Sequence, residues 1–137
     1  MVGIDARTGE QLWETKAEAR GHSSGGIVVD GKFISSGTCP GGRANCFIAA
    51  HDALTGKEVW RFYTTAGAGE PGGDSWANTP TERRTASTWG LPGTYDSVRK
   101  MLYWGIANPT PNSRLPRTRN ICEKTSVSGM LTRTGAP

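Results

Sequence analysis

The sequence predicts an all-β protein built from short strands and tight turns. Three observations predict it. The 137 residues include 19 glycines and 8 prolines, about a fifth of the chain against roughly 12% in average usage. A glycine inside a helix costs about 1 kcal/mol relative to alanine, so this composition disfavours a helical fold. The five tryptophans supply the burial that disordered chains lack. Finally, a decapeptide pattern recurs at a fixed offset, which marks a repeat architecture.

The repeat is specific. Residues 4–13 read IDARTGEQLW and residues 51–60 read HDALTGKEVW. Asp5, Ala6, Thr8, Gly9 and Trp13 recur as Asp52, Ala53, Thr55, Gly56 and Trp60, each 47 residues later. The unit reads as a β-hairpin. A short apolar strand ends at Asp, whose carboxylate bonds backbone groups two residues on. Thr-Gly closes the turn, and the second strand ends on a large aromatic.

The elements follow in order. Residues 1–14 form the last hairpin of a preceding unit. Ile27–Val29 and Phe33–Ser35 flank Asp30-Gly31-Lys32, and Asp-Gly between apolar runs is a strong hairpin signal. Phe47–Ala50 leads through the repeated turn into Val59–Tyr63. Residues 27–63 therefore hold four strands joined by tight turns. Four antiparallel strands recurring every 40–50 residues are the sequence form of a β-propeller blade. Residues 64–87 read as a long surface loop. Thr94-Tyr95, a turn at Asp96–Lys100 and Met101–Gly105 begin the next blade. The expected fold is a β-propeller fragment, with one full four-stranded blade and two partial ones over residues 1–112. Residues 113–137 are expected to form an irregular basic tail.

Charge and cysteine usage bound the function. The formal net charge is +4. All of it resides in the tail, where Arg114, Arg117, Arg119, Lys124 and Arg133 face a single acid, Glu123, while residues 1–112 are neutral. The charge is therefore no sign of a nucleic-acid partner. No run approaches the ~20 apolar residues of a membrane helix, and no secretion signal opens the chain. Cys39 and Cys46 flank a Gly-rich loop that can bring them within bridging distance. Cys122 has no partner by count, and His22 and His51 lack metal-ligand spacing.

Six stretches then resemble the pyrroloquinoline quinone (PQQ) dehydrogenases of the methanol/ethanol type: IDARTGEQLW, VVDGKFISSG, FIAAHDALTGKEVWRFYT, GEPGGDSW, STWGLPGTYD and LYWGIANPTPN. The resemblance covers residues 1–112. It implies an eight-bladed propeller whose blades dock through tryptophans, here Trp13 and Trp60. It also implies PQQ and Ca²⁺ as cofactors, a small alcohol as substrate, and a periplasmic location. Ser36 and Gly37, in Ser35-Ser36-Gly37, match the turn that holds a cofactor carboxylate. Thr88 and Trp89 match residues that flank the quinone, although Trp89 stands one residue further from Tyr95-Asp96 than in typical members. Asn108 matches a calcium ligand. Cys39 stands where typical members carry a second, glutamate ligand, and the family's adjacent cysteine pair is absent. Arg43 either faces an anionic cofactor or is a solvated loop residue.

The resemblance places the catalytic aspartate in a later blade. The chain is therefore expected to be an internal piece of a PQQ-dependent alcohol dehydrogenase, beginning at Met1 within a running repeat and partnered by the remaining blades. On that expectation it is marginally folded or aggregates alone, and binds no PQQ measurably. The alternative is a non-catalytic propeller that acts as a protein-binding scaffold.

Overall fold

A computed structural model describes residues 1–16, 25–76, 78–88, 92–107, 109–110 and 132–133. Strands β1 (Val2–Ile4) and β2 (Gln11–Glu14) pair antiparallel as a hairpin. Strands β3 (Ile27–Val29), β4 (Lys32–Ser36), β5 (Phe47–Asp52) and β6 (Glu58–Tyr63) form a four-stranded antiparallel meander in chain order. Strands β7 (Thr94–Asp96) and β8 (Met101–Tyr103) form a third hairpin. One complete blade and two partial ones are thus present, as the repeat predicts. β8 also pairs with β9 (Thr132–Arg133), a two-residue strand within the stretch read as an irregular tail. No helix among the described residues is long and apolar enough to cross a membrane.

The β1–β2, β5–β6 and β7–β8 hairpins close by one device. Asp5 accepts the backbone N–H groups of Arg7 and Thr8 at 2.8 and 3.0 Å. Asp52 accepts those of Leu54 and Thr55 at 3.0 and 2.8 Å. Asp96 accepts those of Val98 and Arg99, both at 2.9 Å. The fifth residue of each turn has positive φ: 75° at Gly9, 71° at Gly56 and 55° at Lys100. The Asp96 turn is therefore the same turn written without its Thr-Gly, which hides it from a search for the repeat. A lysine there carries the strain that glycine avoids, about 1 kcal/mol or more.

These carboxylates titrate below their ordinary value, chiefly through the turn bonds from Thr55 to Asp52 and from Thr8 to Asp5. A depressed folded-state pKa adds stability that is fully present above the ordinary value of 3.8. It is lost as pH falls through the lower folded value. The turn amides should therefore exchange hydrogen faster as pH is lowered below that value, after correction for intrinsic exchange rates. Asp52→Asn keeps the acceptor oxygen, and should flatten this dependence at residues 52–56 while leaving that at residues 5–9.

Side chains alternate along the blade. Ile27, Val29, Ile34, Ile48, Ala50 and Trp60 pack with Tyr95, Leu102 and Trp104 of the β7–β8 hairpin into the core. Tyr95 also donates its hydroxyl to Asp30 Oδ2 at 3.0 Å, tying that hairpin to the β3–β4 turn. On the other side, Trp13 docks β1–β2 onto the blade. Its indole Nε1 donates to the Ala53 carbonyl at 3.0 Å, and Thr15 Oγ1 donates to the Gly56 carbonyl at 2.8 Å. A Cβ on Gly56 would overlap the indole ring. The glycine of one repeat is therefore the seat for the tryptophan of the repeat before it.

Candidate functional site

The site forms where β4 ends and the long 64–88 connection returns. Ser36 and Gly37 are buried at the end of β4. Thr88 lies 51 residues away in sequence and is 2% exposed. Its hydroxyl donates to the Gly37 carbonyl at 3.1 Å. Three of the residues singled out from sequence are thereby brought together. Trp89 and Asn108 lie outside the described residues. Ser35, beside them on β4, has a buried hydroxyl with no hydrogen-bond partner.

Next to this junction lies an open groove of about 350 Å³, lined by Thr38, Cys39, Pro40, Thr85, Ser87, Ala107 and Thr110. Backbone pairing builds it. Thr85 N–H donates to the Thr110 carbonyl at 2.8 Å, and Thr110 N–H returns the bond at 2.7 Å. Ala107 N–H donates to the Ser87 carbonyl at 2.7 Å. Among the described residues, no charged side chain lines the groove.

Cys39 and Cys46 form a disulfide across the Gly-rich loop, with Cα atoms 4.7 Å apart. This resolves the bridging left open by spacing alone. The loop clasps the 64–88 connection. Arg43 Nε donates to the Thr65 carbonyl at 2.9 Å, and its Nη2 bonds both Glu70 oxygens at 2.7 and 2.9 Å. Its guanidinium lies 4.3 Å from the centre of the Tyr63 ring. Arg43 is therefore committed to a structural ion pair rather than free in solvent. Glu70 is held below its ordinary pKa first by the Gly67 N–H and then by Arg43.

Gly42 packs so closely on the Glu82 carbonyl that no side chain fits there. Thr64 Oγ1 donates to the Ala86 carbonyl at 2.6 Å and the Cys46 carbonyl at 3.2 Å. Arg84 is 5% exposed, and its Nε and Nη1 donate to the carbonyls of Thr79 and Ala66 at 3.0 and 2.8 Å. The connection read from sequence as a surface loop is exposed over residues 68–72 and is pinned where Arg43 and Arg84 reach the Thr65, Ala66 and Thr79 carbonyls. Sequence reasoning missed Thr85, Ser87, Thr110 and Arg84. The buried residues of the connection, Thr65, Gly67, Gly73, Arg84, Ala86 and Thr88, carry no periodic apolar signal that would reveal it.

Blades docked through a tryptophan seat, with a groove at the strand ends, define a β-propeller fold. The family model for the PQQ glucose/ethanol/alcohol dehydrogenase β-propeller domain matches residues 21–120, and the chain belongs to this family. Quinohemoprotein alcohol dehydrogenase ADH IIB of Pseudomonas putida is 35% identical over 96% of the chain and 21% of its own length. The dehydrogenase subunit of the alcohol dehydrogenase (quinone) of Acetobacter aceti is 27% identical over 81% of the chain and 18% of its own length. The solved structure of quinohemoprotein alcohol dehydrogenase ADHIIG from Pseudomonas putida HK5 matches with a TM-score of 0.54 at 31% identity, covering 77% of the chain and 18% of that structure. The chain spans about a fifth of the length of the curated relatives it matches.

Proposed function

We propose that residues 1–112 form part of the cofactor-bearing face of a PQQ-dependent alcohol dehydrogenase, acting with further blades and inactive alone. Residues 113–137 lie outside the repeat read from the sequence, although Thr132–Arg133 adds a strand to the β7–β8 sheet. The observation that carries it is the Thr88–Gly37 hydrogen bond beside the groove, which joins two of the motifs that resemble the family's cofactor contacts.

The lining fits PQQ. Hydroxyls of Thr38, Thr85, Ser87 and Thr110 offer polar contacts, while Pro40, Ala107 and the disulfide at Cys39 offer apolar surface. Such a mixture suits the face and edge of a planar aromatic ligand. Ser36, Gly37 and Thr88, buried beside the groove, set one edge of its wall, with Trp89 as the stacking residue. Among the described residues the groove lining carries no cation, and Arg43 is paired with Glu70. The charge that balances an anionic quinone comes from elsewhere in the propeller. When bound, the quinone accepts two electrons from the alcohol. This chain's own residues bind and orient it, and the aspartate that takes the substrate proton lies in another blade.

Calcium does not fit the described donors. Among the described residues no three His, Cys, Asp or Glu side chains gather in one place. Cys39, at the position of a carboxylate ligand in the resemblance, is locked in a disulfide. A Ca²⁺ site wants 6–8 oxygen ligands, usually including carboxylates. From this chain the metal would take Asn108 alone. The disulfide supports a periplasmic location, where such bonds persist.

Grafting residues 1–112 in place of the matching stretch of the Pseudomonas putida enzyme tests the proposal. The graft should oxidise a primary alcohol with an artificial electron acceptor only after PQQ is added. A folded graft that stays inactive with PQQ would support the scaffold reading, which the loss of a carboxylate at Cys39 favours.

A further inference from the structure

The two sulfurs of the Cys39–Cys46 bridge stand in different surroundings. Cys39 lines the groove and is 9% exposed, whereas Cys46 is 1% exposed and does not reach the groove. The Cys46 sulfur lies 3.4 Å from the Gly42 carbonyl oxygen and 3.9 Å from that of Arg84. Two carbonyl oxygens repel a thiolate but accept an S–H. The sulfur that solvent reaches is therefore the one that can be attacked. These carbonyls favour the buried sulfur as the protonated thiol it becomes and slow its departure as a thiolate, so the choice of sulfur rests on access.

The bridge also fixes the groove wall. Between its cysteines lie Gly42, packed on Glu82, and Arg43, bonded to Thr65 and Glu70. Both contacts fall on the 64–88 connection that carries Thr85 and Ser87. Opening the bridge frees the loop that clasps this connection.

We propose that Cys39 is a site of thiol–disulfide exchange with small thiols, and that the exchange unlatches the groove. The thiolate of the small thiol attacks Cys39 Sγ and forms a new S–S bond to it. The Cys39–Cys46 bond breaks, Cys46 leaves with the electron pair, and it takes one proton from solvent. The products are a mixed disulfide at Cys39 and a free Cys46 thiol, with no net oxidation. Exchange rates depend on which sulfur is accessible and on the leaving thiol. This inference is independent of the cofactor reading.

The test uses the full chain carrying Cys122→Ser, oxidised, with reduced glutathione. After an acid quench and alkylation, trypsin cuts at Arg43 and places the two cysteines in separate peptides. Glutathione should sit on Cys39 in preference to Cys46 by on the order of tenfold. In urea the preference should collapse towards an even split. An adduct mainly on Cys46, or a native split matching that in urea, would overturn the assignment. Brief trypsin treatment of the native adduct should cut after the exposed Arg83 several-fold faster than in the bridged chain, and equal rates would overturn the latch.

Discussion

Gly56→Val should undock the β1–β2 hairpin from the blade. Gly56 has a φ of 71°, which costs a β-branched residue at least the 1–2 kcal/mol of a left-handed backbone. Its new side chain would also occupy the volume of the Trp13 indole. Displacing Trp13 breaks its bond to the Ala53 carbonyl, worth about 1 kcal/mol. It also exposes the apolar ring. The combined loss is about 3 kcal/mol or more, which should lower amide protection across β1–β2 and the 52–56 turn by roughly a hundredfold. Hydrogen exchange read by mass spectrometry checks this. Trp13→Phe is the milder partner: it keeps most of the ring and loses the indole donor, so a loss of only about tenfold is expected.

Arg84→Met should detach the groove wall. The methionine keeps much of the buried apolar volume but removes both donors to Ala66 and Thr79. Each of these half-buried carbonyls left without a partner costs about 1 kcal/mol. The 64–88 connection should then become accessible to protease, and the Thr85–Thr110 pairing should lose its amide protection. Blade amides in β3–β5 should change far less, because their core of Ile34, Ile48 and Ala50 packs on β7–β8 and does not include Arg84. Protection lost equally in both regions would show that Arg84 supports the whole blade and not the wall. Arg43, by contrast, pairs with a Glu70 that is half exposed, and surface pairs of that kind contribute little.

The blade was legible in the sequence because its signals are local. Asp-Gly at residues 30–31, the Asp-x-x-Thr-Gly turns and the tryptophan that closes each hairpin fix strand ends within a few residues. The docking role of Trp13 came through the resemblance, and its seat on Gly56 and the Ala53 carbonyl is visible only in the structure. The Asp96 turn was found as a turn but not as a member of the repeat. The part that bonds is the carboxylate with the i+2 and i+3 amides, which does not need Thr-Gly. The groove was not legible. It depends on the pairing of Thr85 with Thr110, on two arginines that reach backbone carbonyls, and on Gly42 against Glu82. None of these has a spacing or a periodicity that a single sequence displays. Arg43 shows the limit well: an arginine in a Gly-rich loop reads as solvated or anion-facing, and only the fold reveals Glu70 opposite it. Ser36, Gly37 and Thr88 were found through resemblance, and the structure brings them together.

In the proposed assembly, Gly37 and Thr88 set the edge of the wall that holds the cofactor. Equilibrium titration of PQQ into the grafted enzyme, followed by quinone absorbance, tests it most directly against the same graft carrying Thr88→Val. The valine keeps the shape of threonine and removes the hydroxyl that donates to the Gly37 carbonyl. The expected result is saturable binding in the graft, weakened by about tenfold in Thr88→Val, the equivalent of one hydrogen bond. Equal affinity in the two proteins, or no saturable binding in a folded graft, would contradict it.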